Sequence, residues 1–361
     1  MRAAPAPGAQ TLRRYAILAP GRFASRSAKT AHGVIAYAHD RTVAVIDPTR
    51  AGERVCDAVP YLRSDAPIVR ALGEALRYDP TALLIGVAPA GGALPSSWRA
   101  SILQALDAGL EVVSGLHEVL ADDAEFAATA RRGGGSIWDV RVPPAPRLFN
   151  GQANASAACV ALFVGSDCAV GKMTAALELT AAARASGRRA QFVATGQTGI
   201  MIAGRGIAVD RVIADFASGA VEQLVLESAA DAEILFIEGQ GGINHPAFAP
   251  VTLALLYGCA PDTLILAHLA TRERIEDFGT PLLSLPRLVD VYEGLCATVK
   301  PAQVCGIALN THGLDDSAAR AAVANARAQT GLPCDDVVRY GARALYDAIA
   351  PALAQKTLAL A

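Results

Sequence analysis

The residues best suited to chemistry in this chain form a glycine-bounded loop near its centre. Residues 165–174 read Gly-Ser-Asp-Cys-Ala-Val-Gly-Lys-Met-Thr, after the apolar run Ala157–Val164 and before an alanine-rich, helix-prone run. A strand, such a loop and a helix start together are the context in which this type of loop binds phosphate. Backbone N–H groups and the helix N-terminus attract an anion, and Lys172 adds a full positive charge. The segment predicts a site for a phosphorylated ligand.

The spelling of this loop departs from the pattern of nucleotide hydrolases. Five residues instead of four separate Gly165 from Gly171, so Ser166 stands at the first glycine position. Met173 stands where a hydroxyl residue would hold Mg²⁺, with Thr174 one place later. A thioether does not coordinate that hard cation. The loop therefore indicates phosphate binding more strongly than ATP hydrolysis, and we assign no metal ligands. The alternative to a phosphate loop is a Gly-Lys pair that merely occurs at the start of an ordinary helix.

A second group of candidate residues follows a strand-like run downstream. The apolar run Ile234–Ile237 ends in residues 238–242, Glu-Gly-Gln-Gly-Gly, and His245 follows shortly after. An acid at such a strand end is placed to hold Mg²⁺ or to take a proton from a nucleophile. Histidine is the side chain best suited to proton transfer at neutral pH. We therefore predict Glu238 or His245 as a general base; a glycine-rich turn whose acid only caps a helix is the alternative.

Several polar and basic side chains are candidates for binding the acceptor substrate. Lys29 and His32 are three residues apart at a predicted helix start, so they share a face that could reach an anion, although a solvated helix end explains them equally well. The guanidinium of Arg272 could clamp a carboxylate, with ion pairs to neighbouring glutamates as the alternative. We assign the substrate contacts to Lys29, His32, Arg141, Gln197, Gln240, Gly241 and Arg272.

The donor contacts come from the phosphate loop and one strand end. Asn310 could read an adenine base or merely cap its strand. Cys168 lies inside the loop, where a helix N-terminus and Lys172 favour a thiolate, but a space-filling thiol is the preferred interpretation because no base is spaced along the sequence to serve it. We assign the cofactor contacts to Gly165, Ser166, Asp167, Cys168, Ala169, Val170, Gly171, Lys172, Met173, Thr174 and Asn310.

Composition limits the class of protein. The chain has 361 residues, of which 52% are hydrophobic and 18% charged, and its net charge is −2. This length predicts two domains, and this balance suits a globular α/β enzyme without the basic surface that nucleic acid requires. The sequence contains no stretch typical of a membrane span, and residues 1–12 resemble a frayed tail more than a secretion signal. The seven dispersed cysteines fit reduced thiols in a cytoplasmic protein.

Strand-like and helix-like runs alternate along the whole chain, which predicts an α/β protein with mostly parallel sheets. The proline-rich segment 143–146 marks a boundary. We predict a Rossmann-like domain over residues 1–146 and a P-loop domain, a doubly wound parallel sheet, over residues 147–361. A helix is expected over residues 68–78. Asp47, at the end of the second strand, stands where a ribose-binding acid would lie, although the first turn lacks G-x-G-x-x-G and a turn-forming role is the alternative.

These motifs resemble those of two known families. The phosphate loop and the acidic turn resemble those of dethiobiotin synthetases, which spell them G-T-D-T-x-V-G-K-T and E-G-A-G-G. A second resemblance, to the family of D-glutamate N-acetyltransferases, spans nearly the whole chain. It rests on six segments in the same order, at residues 29–33, 139–141, 167–174, 195–199, 215–216 and 238–241. Gly-Lys-Met-Thr is the usual spelling there, and Gly242 replaces a residue that is more often Ser.

The second resemblance implies acetyl transfer from acetyl-CoA to the amine of a D-amino acid, with D-glutamate as the first candidate. The loop would bind the phosphates of coenzyme A without hydrolysing them. Glu238 or His245 would deprotonate the acceptor ammonium, and Lys29, Arg141 or Arg272 would meet its carboxylates. The partners expected are a small amino-acid substrate and further copies of the chain, with neither nucleic acid nor membrane.

The first resemblance supports an alternative function. An ATP-dependent kinase or a carboxylate–amine ligase of the dethiobiotin-synthetase type would use ATP with Mg²⁺, and Glu238 would hold the metal. Met173 argues against this alternative. A nucleotide-sensing regulator without catalysis is a third hypothesis. The grouping of Glu238, Gln240 and His245 beside the loop argues against mere sensing.

Overall fold

The structure, a computed structural model, describes residues 12–39 and 41–360 of the chain. Apart from Leu12, the predicted N-terminal tail lies outside these residues. The chain divides into two compact units, the first comprising residues 1–142 and 200–204 and the second residues 143–199 and 205–361. None of the helices in the described part of the chain has the length and apolar character needed to span a membrane.

The first unit is built on a six-stranded sheet whose strands are all parallel. Its strands are β1 Arg14–Leu18, β2 Arg41–Ile46, β3 Ile68–Val69, β4 Ala82–Ile85, β5 Glu111–Ser114 and β6 Ser136–Asp139. They lie in the order β3-β2-β1-β4-β5-β6, which is the order of a Rossmann sheet. Runs such as Ala82–Ile85 are wholly buried because helices cover both faces of a parallel sheet. The Rossmann-like expectation is confirmed.

The helix expected over residues 68–78 is only partly correct. Ile68–Val69 forms an edge strand that pairs with Val45 and Ile46 of β2, since β-branched residues pack well on a pleated surface. The helix begins at Leu72 and continues as a 3-10 turn to Tyr78. The α-helices of this unit are α1 Lys29–Tyr37, α2 Val55–Ala58, α3 Leu72–Ala75, α4 Arg99–Asp107 and α5 Ala124–Gly133.

Asp47 is buried at the end of β2 and serves the loop that follows β1. Its carboxylate accepts the N–H groups of Gly21 at 2.8 Å and Phe23 at 3.1 Å, and the hydroxyl of Thr49 at 2.7 Å. These hydrogen bonds keep the pKa of Asp47 below its ordinary value despite its burial. The oxygens that would bind a ribose are therefore occupied by the protein, and the turn-forming interpretation is the one that the geometry supports.

The second unit is also built on a six-stranded parallel sheet. Its strands are β7 Cys159–Gly165, β8 Ala190–Val193, β9 Ile234–Ile237, β10 Thr263–Leu269, β11 Gln303–Asn310 and β12 Cys334–Asp335. Its helices are α6 Lys172–Ala185, α7 Gln197–Ala203, α8 Ala214–Ala229, α9 Ala249–Cys259, α10 Leu285–Cys296, α11 Asp316–Thr330, α12 Arg343–Ala348 and α13 Ala350–Leu360. Both sheets being parallel, the α/β fold class is confirmed.

The strand order of the second unit decides which loops meet. The order is β12-β11-β10-β7-β9-β8, so β7 lies between β9 and β10. In open α/β sheets, ligands bind outside the carboxyl ends of the strands where the order reverses. The loop after β7 therefore meets the segments that follow β9 and β10, and these segments carry the candidate residues. The apolar sides of the strands and helices beneath them form a continuous buried core.

Candidate active site

The phosphate loop, residues 165–174, joins β7 to α6 at the carboxyl edge of the sheet. It turns through two left-handed residues, Ala169 with φ 53° and Gly171 with φ 109°. A non-glycine residue in this region is strained and persists where its surroundings hold it, as at functional sites. Lys172 is buried, and its Nζ donates to the carbonyl oxygens of Asp167 and Gly241, each at 2.7 Å. A phosphate in the loop would replace these carbonyls as the acceptor for the ammonium.

The acidic turn, residues 238–242, packs directly against the phosphate loop. A Cβ at Gly239 would collide with the carbonyl oxygen of Phe163, and one at Gly242 would lie 3.0 Å from the Cα of Asp167. Glycine fits such positions because it has no side chain to displace a neighbouring backbone. The backbones of the turn and the loop are therefore in direct contact, and Lys172 joins them by donating a hydrogen bond to each.

Glu238 follows β9 and is buried, with 4% of its surface exposed. Its Oε2 accepts the N–H groups of Thr195 at 2.9 Å and Gly196 at 3.0 Å. Burial raises the pKa of this carboxyl from 4.5 to about 7, although the two N–H groups and the charge of Lys172 oppose the rise. Near neutral pH the group exists in both protonation states, which is what a general base requires.

His245 is buried and presents a hydrogen-bond donor. Its Nδ1 accepts the N–H groups of Ala247 at 3.2 Å and Phe248 at 3.3 Å, so a neutral ring carries its proton on Nε2. Nε2 lies 4.0 Å from Oδ1 of Asp167. The rings of Phe248 and Phe278 pack on the imidazole, with centroids 4.5 and 5.1 Å away. This geometry argues against the predicted base role for His245, because the only lone pair of the neutral ring is occupied by the backbone.

Asp167 is fully buried in the phosphate loop, and donors surround its carboxylate. Oδ1 accepts the N–H of Cys168 at 2.7 Å, while Oδ2 accepts Nη1 of Arg272 at 2.7 Å and the N–H of Glu276 at 2.8 Å. Arg272 also donates from Nη2 to Glu276 at 3.3 Å. The predicted substrate clamp thus holds a carboxylate of the protein itself. Arg272 ties the segment after β10 to the phosphate loop, and its substrate-binding role stays a prediction.

Replacing Arg272 by alanine is expected to destabilise the protein by ~3–5 kcal/mol, because the buried carboxylate of Asp167 loses its charged partner. Denaturant unfolding of the variant measures the change. Arg274→Ala, two residues further along, is the matched control, since that side chain is exposed and donates from Nη1 to the carbonyl of Gly279. Equal stability of Arg272→Ala and Arg274→Ala would contradict the assignment.

Other predicted residues of the second unit lie around the same loop. Gln240 donates from Nε2 to Oγ1 of Thr195 at 3.2 Å, and Gln197 begins α7 just beyond that threonine. Asn310 ends β11 and donates from Nδ2 to the carbonyl of Val170 at 3.4 Å. The sheet therefore brings together residues from the ends of β7, β8, β9 and β11, as a ligand site at this edge requires.

The sequence analysis missed His268 and Tyr292, which brace the loop. Nδ1 of His268 lies 2.9 Å from the hydroxyl of Ser166, and burial lowers the pKa of His268 to about 4, with the charge of Arg272 adding to the effect. Tyr292 is fully buried and donates to the carbonyl of Gly165 at 2.7 Å. A polar residue at the end of the strand beside the phosphate loop was the available signal for His268. Tyr292, on α10, offered no such signal.

Three predicted substrate residues belong to the first unit. Lys29 is exposed as the first residue of α1. His32 has Nε2 2.6 Å from the carbonyl of Phe23 and Nδ1 2.7 Å from the hydroxyl of Tyr61, and burial lowers its pKa. Arg141 is 7% exposed and donates from Nε to the carbonyl of Gly115 at 2.7 Å. A neutral His32 attracts an anion poorly, and the substrate-binding role of these three residues stays a prediction.

A group that could in principle hold a metal lies beside the loop. Sγ of Cys168, a carboxylate oxygen of Asp167 and a ring nitrogen of His245 lie within 4.8 Å of one another. A metal ligand needs the lone pair of the imidazole nitrogen that faces the ion. The backbone bonds at Nδ1 of His245 leave a proton on the nitrogen that faces Asp167. The cluster therefore fits hydrogen bonding and proton chemistry better than metal binding.

Comparison with known proteins places this site in a family. Residues 147–346 match the family model described as "Domain of unknown function (DUF1611_C) P-loop domain". Residues 48–143 match the one described as "Domain of unknown function (DUF1611_N) Rossmann-like domain". The chain belongs to the DUF1611 family. A crystal structure of a DUF1611 family protein from Anabaena variabilis is 40% identical, with a TM-score of 0.90, and the match covers 94% of this chain and 99% of that one.

Two relatives of the chain carry a named activity. A D-glutamate N-acetyltransferase of Tritonibacter scottomollicae is 40% identical over 284 residues, which cover 77% of this chain and 84% of that protein. A D-glutamate N-acetyltransferase of a Pseudoalteromonas species is 35% identical over 272 residues, covering 74% and 81%. The resemblance drawn from the motifs is confirmed. The chain is an enzyme, an acyltransferase of the N-acetyltransferase type.

Proposed function

We propose that this enzyme transfers the acetyl group of acetyl-CoA to the amine of D-glutamate. Both named relatives act on that acceptor by name. The observation that carries the proposal is that one edge of the sheet holds both Lys172, in a phosphate loop, and the buried carboxylate of Glu238, whose pKa lies near 7. Lys172 suits a polyanionic donor, and Glu238 suits an acceptor that must lose a proton.

The phosphate loop supports coenzyme A as the carrier of the acetyl group. Coenzyme A has a pyrophosphate and a ribose phosphate, and a loop at a helix N-terminus binds such groups through backbone N–H donors and the helix dipole. Lys172 already bonds two carbonyl oxygens, so its ammonium is held at the loop before any ligand enters. Met173 supplies no hydroxyl for Mg²⁺, and acetyl transfer needs none.

The buried carboxylate supports an amine as the acceptor. An ammonium has no lone pair, so it must give up a proton before its nitrogen attacks the carbonyl carbon of an acetyl thioester. Glu238 takes that proton, because its raised pKa makes it a stronger base than an exposed glutamate. A new C–N bond forms, the C–S bond breaks, and the thiolate that leaves takes up a proton. The Nε2–H of His245 stabilises negative charge that develops beside the loop.

The acceptor is tested by mass spectrometry of amino acids incubated with acetyl-CoA and the enzyme. We expect N-acetyl-D-glutamate from D-glutamate and much less product from L-glutamate, D-alanine and glycine. Product from L-glutamate at the same rate would refute the assigned stereochemistry. The absence of any N-acetyl product would refute the proposed function.

The donor is tested by thermal unfolding with acetyl-CoA, coenzyme A and ATP with Mg²⁺. A ligand present at 100 times its Kd stabilises the folded state by ~2.7 kcal/mol, which raises Tm. We expect acetyl-CoA and coenzyme A to raise Tm and ATP with Mg²⁺ to have little effect. Stabilisation by ATP with Mg²⁺ and none by coenzyme A would favour a kinase or ligase instead.

A further inference from the structure

Cys56, Cys168 and Cys305 are the partly exposed cysteines of this protein, and of these Cys168 lies in the phosphate loop. Cys159, Cys259, Cys296 and Cys334 are buried in the core of the second unit, where a thiol fills space. Cys168 is instead partly exposed at the turn of the phosphate loop. A ligand held by the loop would therefore lie beside its sulfur, whereas the core cysteines are out of reach. The space-filling interpretation suits those four and not Cys168.

The tertiary structure also brings the distant side chain of His245 close to Cys168 and its neighbour Asp167. Its Sγ, a carboxylate oxygen of Asp167 and a ring nitrogen of His245 lie within 4.8 Å of one another. His245 is 77 positions further along the sequence than Cys168. An imidazole that presents its N–H near a cysteine stabilises the thiolate, which is the form of cysteine that attacks a thioester.

We propose that Cys168 is a catalytic nucleophile that carries the acetyl group as a protein thioester between donor and acceptor. This inference rests on the proposed function, because it needs an acyl thioester such as acetyl-CoA in the phosphate loop. It deepens that function by dividing one transfer into two steps, the first of which forms a thioester on Cys168 and the second of which forms the amide.

Groups that can stabilise a negative charge lie near the sulfur of Cys168. The Nε2–H of His245 donates toward the cluster, because Nδ1 is held by two backbone N–H groups. The rings of Phe248 and Phe278 keep the imidazole in place. The start of α6 lies four residues after Cys168, and a helix N-terminus stabilises a nearby anion. Arg272 balances the charge of Asp167, so that carboxylate opposes the thiolate less than an unpaired one would.

The chemistry balances without any further reactant. The Cys168 thiol gives its proton to the solvent that reaches its partly exposed side chain, and the thiolate attacks the carbonyl carbon of the acyl-CoA thioester. A bond forms between that carbon and Sγ, the carbon–sulfur bond to coenzyme A breaks, and the departing thiolate takes up a proton and leaves as the thiol. The neutral amine of the acceptor then attacks the same carbon, forming the amide and releasing the Cys168 thiolate. Glu238 takes the proton from the amine, and no group is oxidised or reduced.

Two measurements on the wild-type enzyme without an acceptor amino acid test this directly. Intact-protein mass spectrometry after rapid quenching with acid should show one acetyl group on the enzyme, and peptide mapping should place it on Cys168. The enzyme should also exchange isotopically labelled coenzyme A into acetyl-CoA, which a double-displacement route permits and a direct transfer does not. Cys168→Ser and Cys168→Ala should abolish the exchange and the acetylated peptide.

Cys56→Ala is the matched control, since Cys56 is a partly exposed thiol of the first unit whose pKa is raised, chiefly by desolvation. It should keep both the exchange and the label on Cys168. The inference would be overturned if the wild type formed product without an acetylated Cys168 and without exchange, and if Cys168→Ala were fully active. The proposed function would then still hold. Wild-type enzyme that forms no N-acetyl product from any amino acid would overturn both. Binding of acetyl-CoA by Cys168→Ser, measured by thermal shift, shows that the variant is folded.

Discussion

Glu238→Gln is expected to lower kcat by ~10²–10⁴-fold, the range that a positioned general base contributes. The amide keeps the shape of the side chain and can still accept the N–H groups of Thr195 and Gly196, but it cannot take a proton. In the wild type, kcat/KM should rise with pH through about 7, where Glu238 ionises. Steady-state kinetics across this range should show that the rise is missing in the variant.

The same carboxyl affects the stability of the ligand-free protein. Its pKa is raised from 4.5 to about 7 by folding, so the folded state holds an extra proton between these pH values. Stability therefore falls as pH rises from 4.5 through about 7, by about 3 kcal/mol at ~1.4 kcal/mol per pH unit. Glu238→Gln should remove this fall, whereas Glu227→Gln on the exposed face of α8 should keep it. A pH–rate profile of Glu238→Gln parallel to that of the wild type would refute the base assignment.

Lys172→Ala is expected to weaken the binding of acetyl-CoA by ~10–100-fold while lowering kcat at saturating donor much less. A hydrogen bond to a charged group contributes ~1.5–3 kcal/mol, and each ~1.4 kcal/mol is a tenfold change in Kd. The ammonium binds the donor phosphates in the ground state and the transition state alike, so the loss should appear in affinity. Isothermal titration of the donor and steady-state kinetics at saturating donor measure the two effects.

Two variants separate the charge of Lys172 from its packing. The stem of the side chain lies close to Gly165 and Gly239, so truncation to alanine also removes contacts. Lys172→Met keeps a stem of similar length without the charge and should bind the donor as poorly as Lys172→Ala. Arg320→Ala, on the exposed surface of α11, removes one positive charge elsewhere and should leave the Kd unchanged. Wild-type affinity in Lys172→Met would show that the charge is not what binds the donor.

Much of the fold followed from local patterns. Apolar runs of four to eight residues alternate with helix-prone stretches, and each run that is covered on both faces becomes a central parallel strand. The short edge strands β3 and β12 were missed because two residues carry too little periodic signal. The phosphate loop was predictable because its strand, loop and helix start are contiguous in the chain.

The roles of individual side chains were less predictable, because each depends on partners from other strands. Arg272 has the type of side chain that clamps a substrate carboxylate, but in the fold it pairs with Asp167, 105 residues away. His245 resembled a base until the backbone N–H groups at its Nδ1 fixed its proton on the other nitrogen. Cys168 and His245 are 77 positions apart in the sequence, yet the two side chains lie close together in the fold.

Contiguous segments of this chain therefore specified its α/β class, its phosphate loop and its family motifs, since hydrophobic periodicity and loop geometry depend on neighbouring residues. The raised pKa of Glu238 and the hydrogen-bond partners of His245 and Asp167 came from the order of strands in the second sheet. That order places the ends of β7, β9 and β10 side by side and surrounds each titratable group with donors and burial. Burial, nearby charges and hydrogen bonds determine the pKa of a group and the position of its proton. These depend on neighbours in the fold, which distance along the sequence does not reveal.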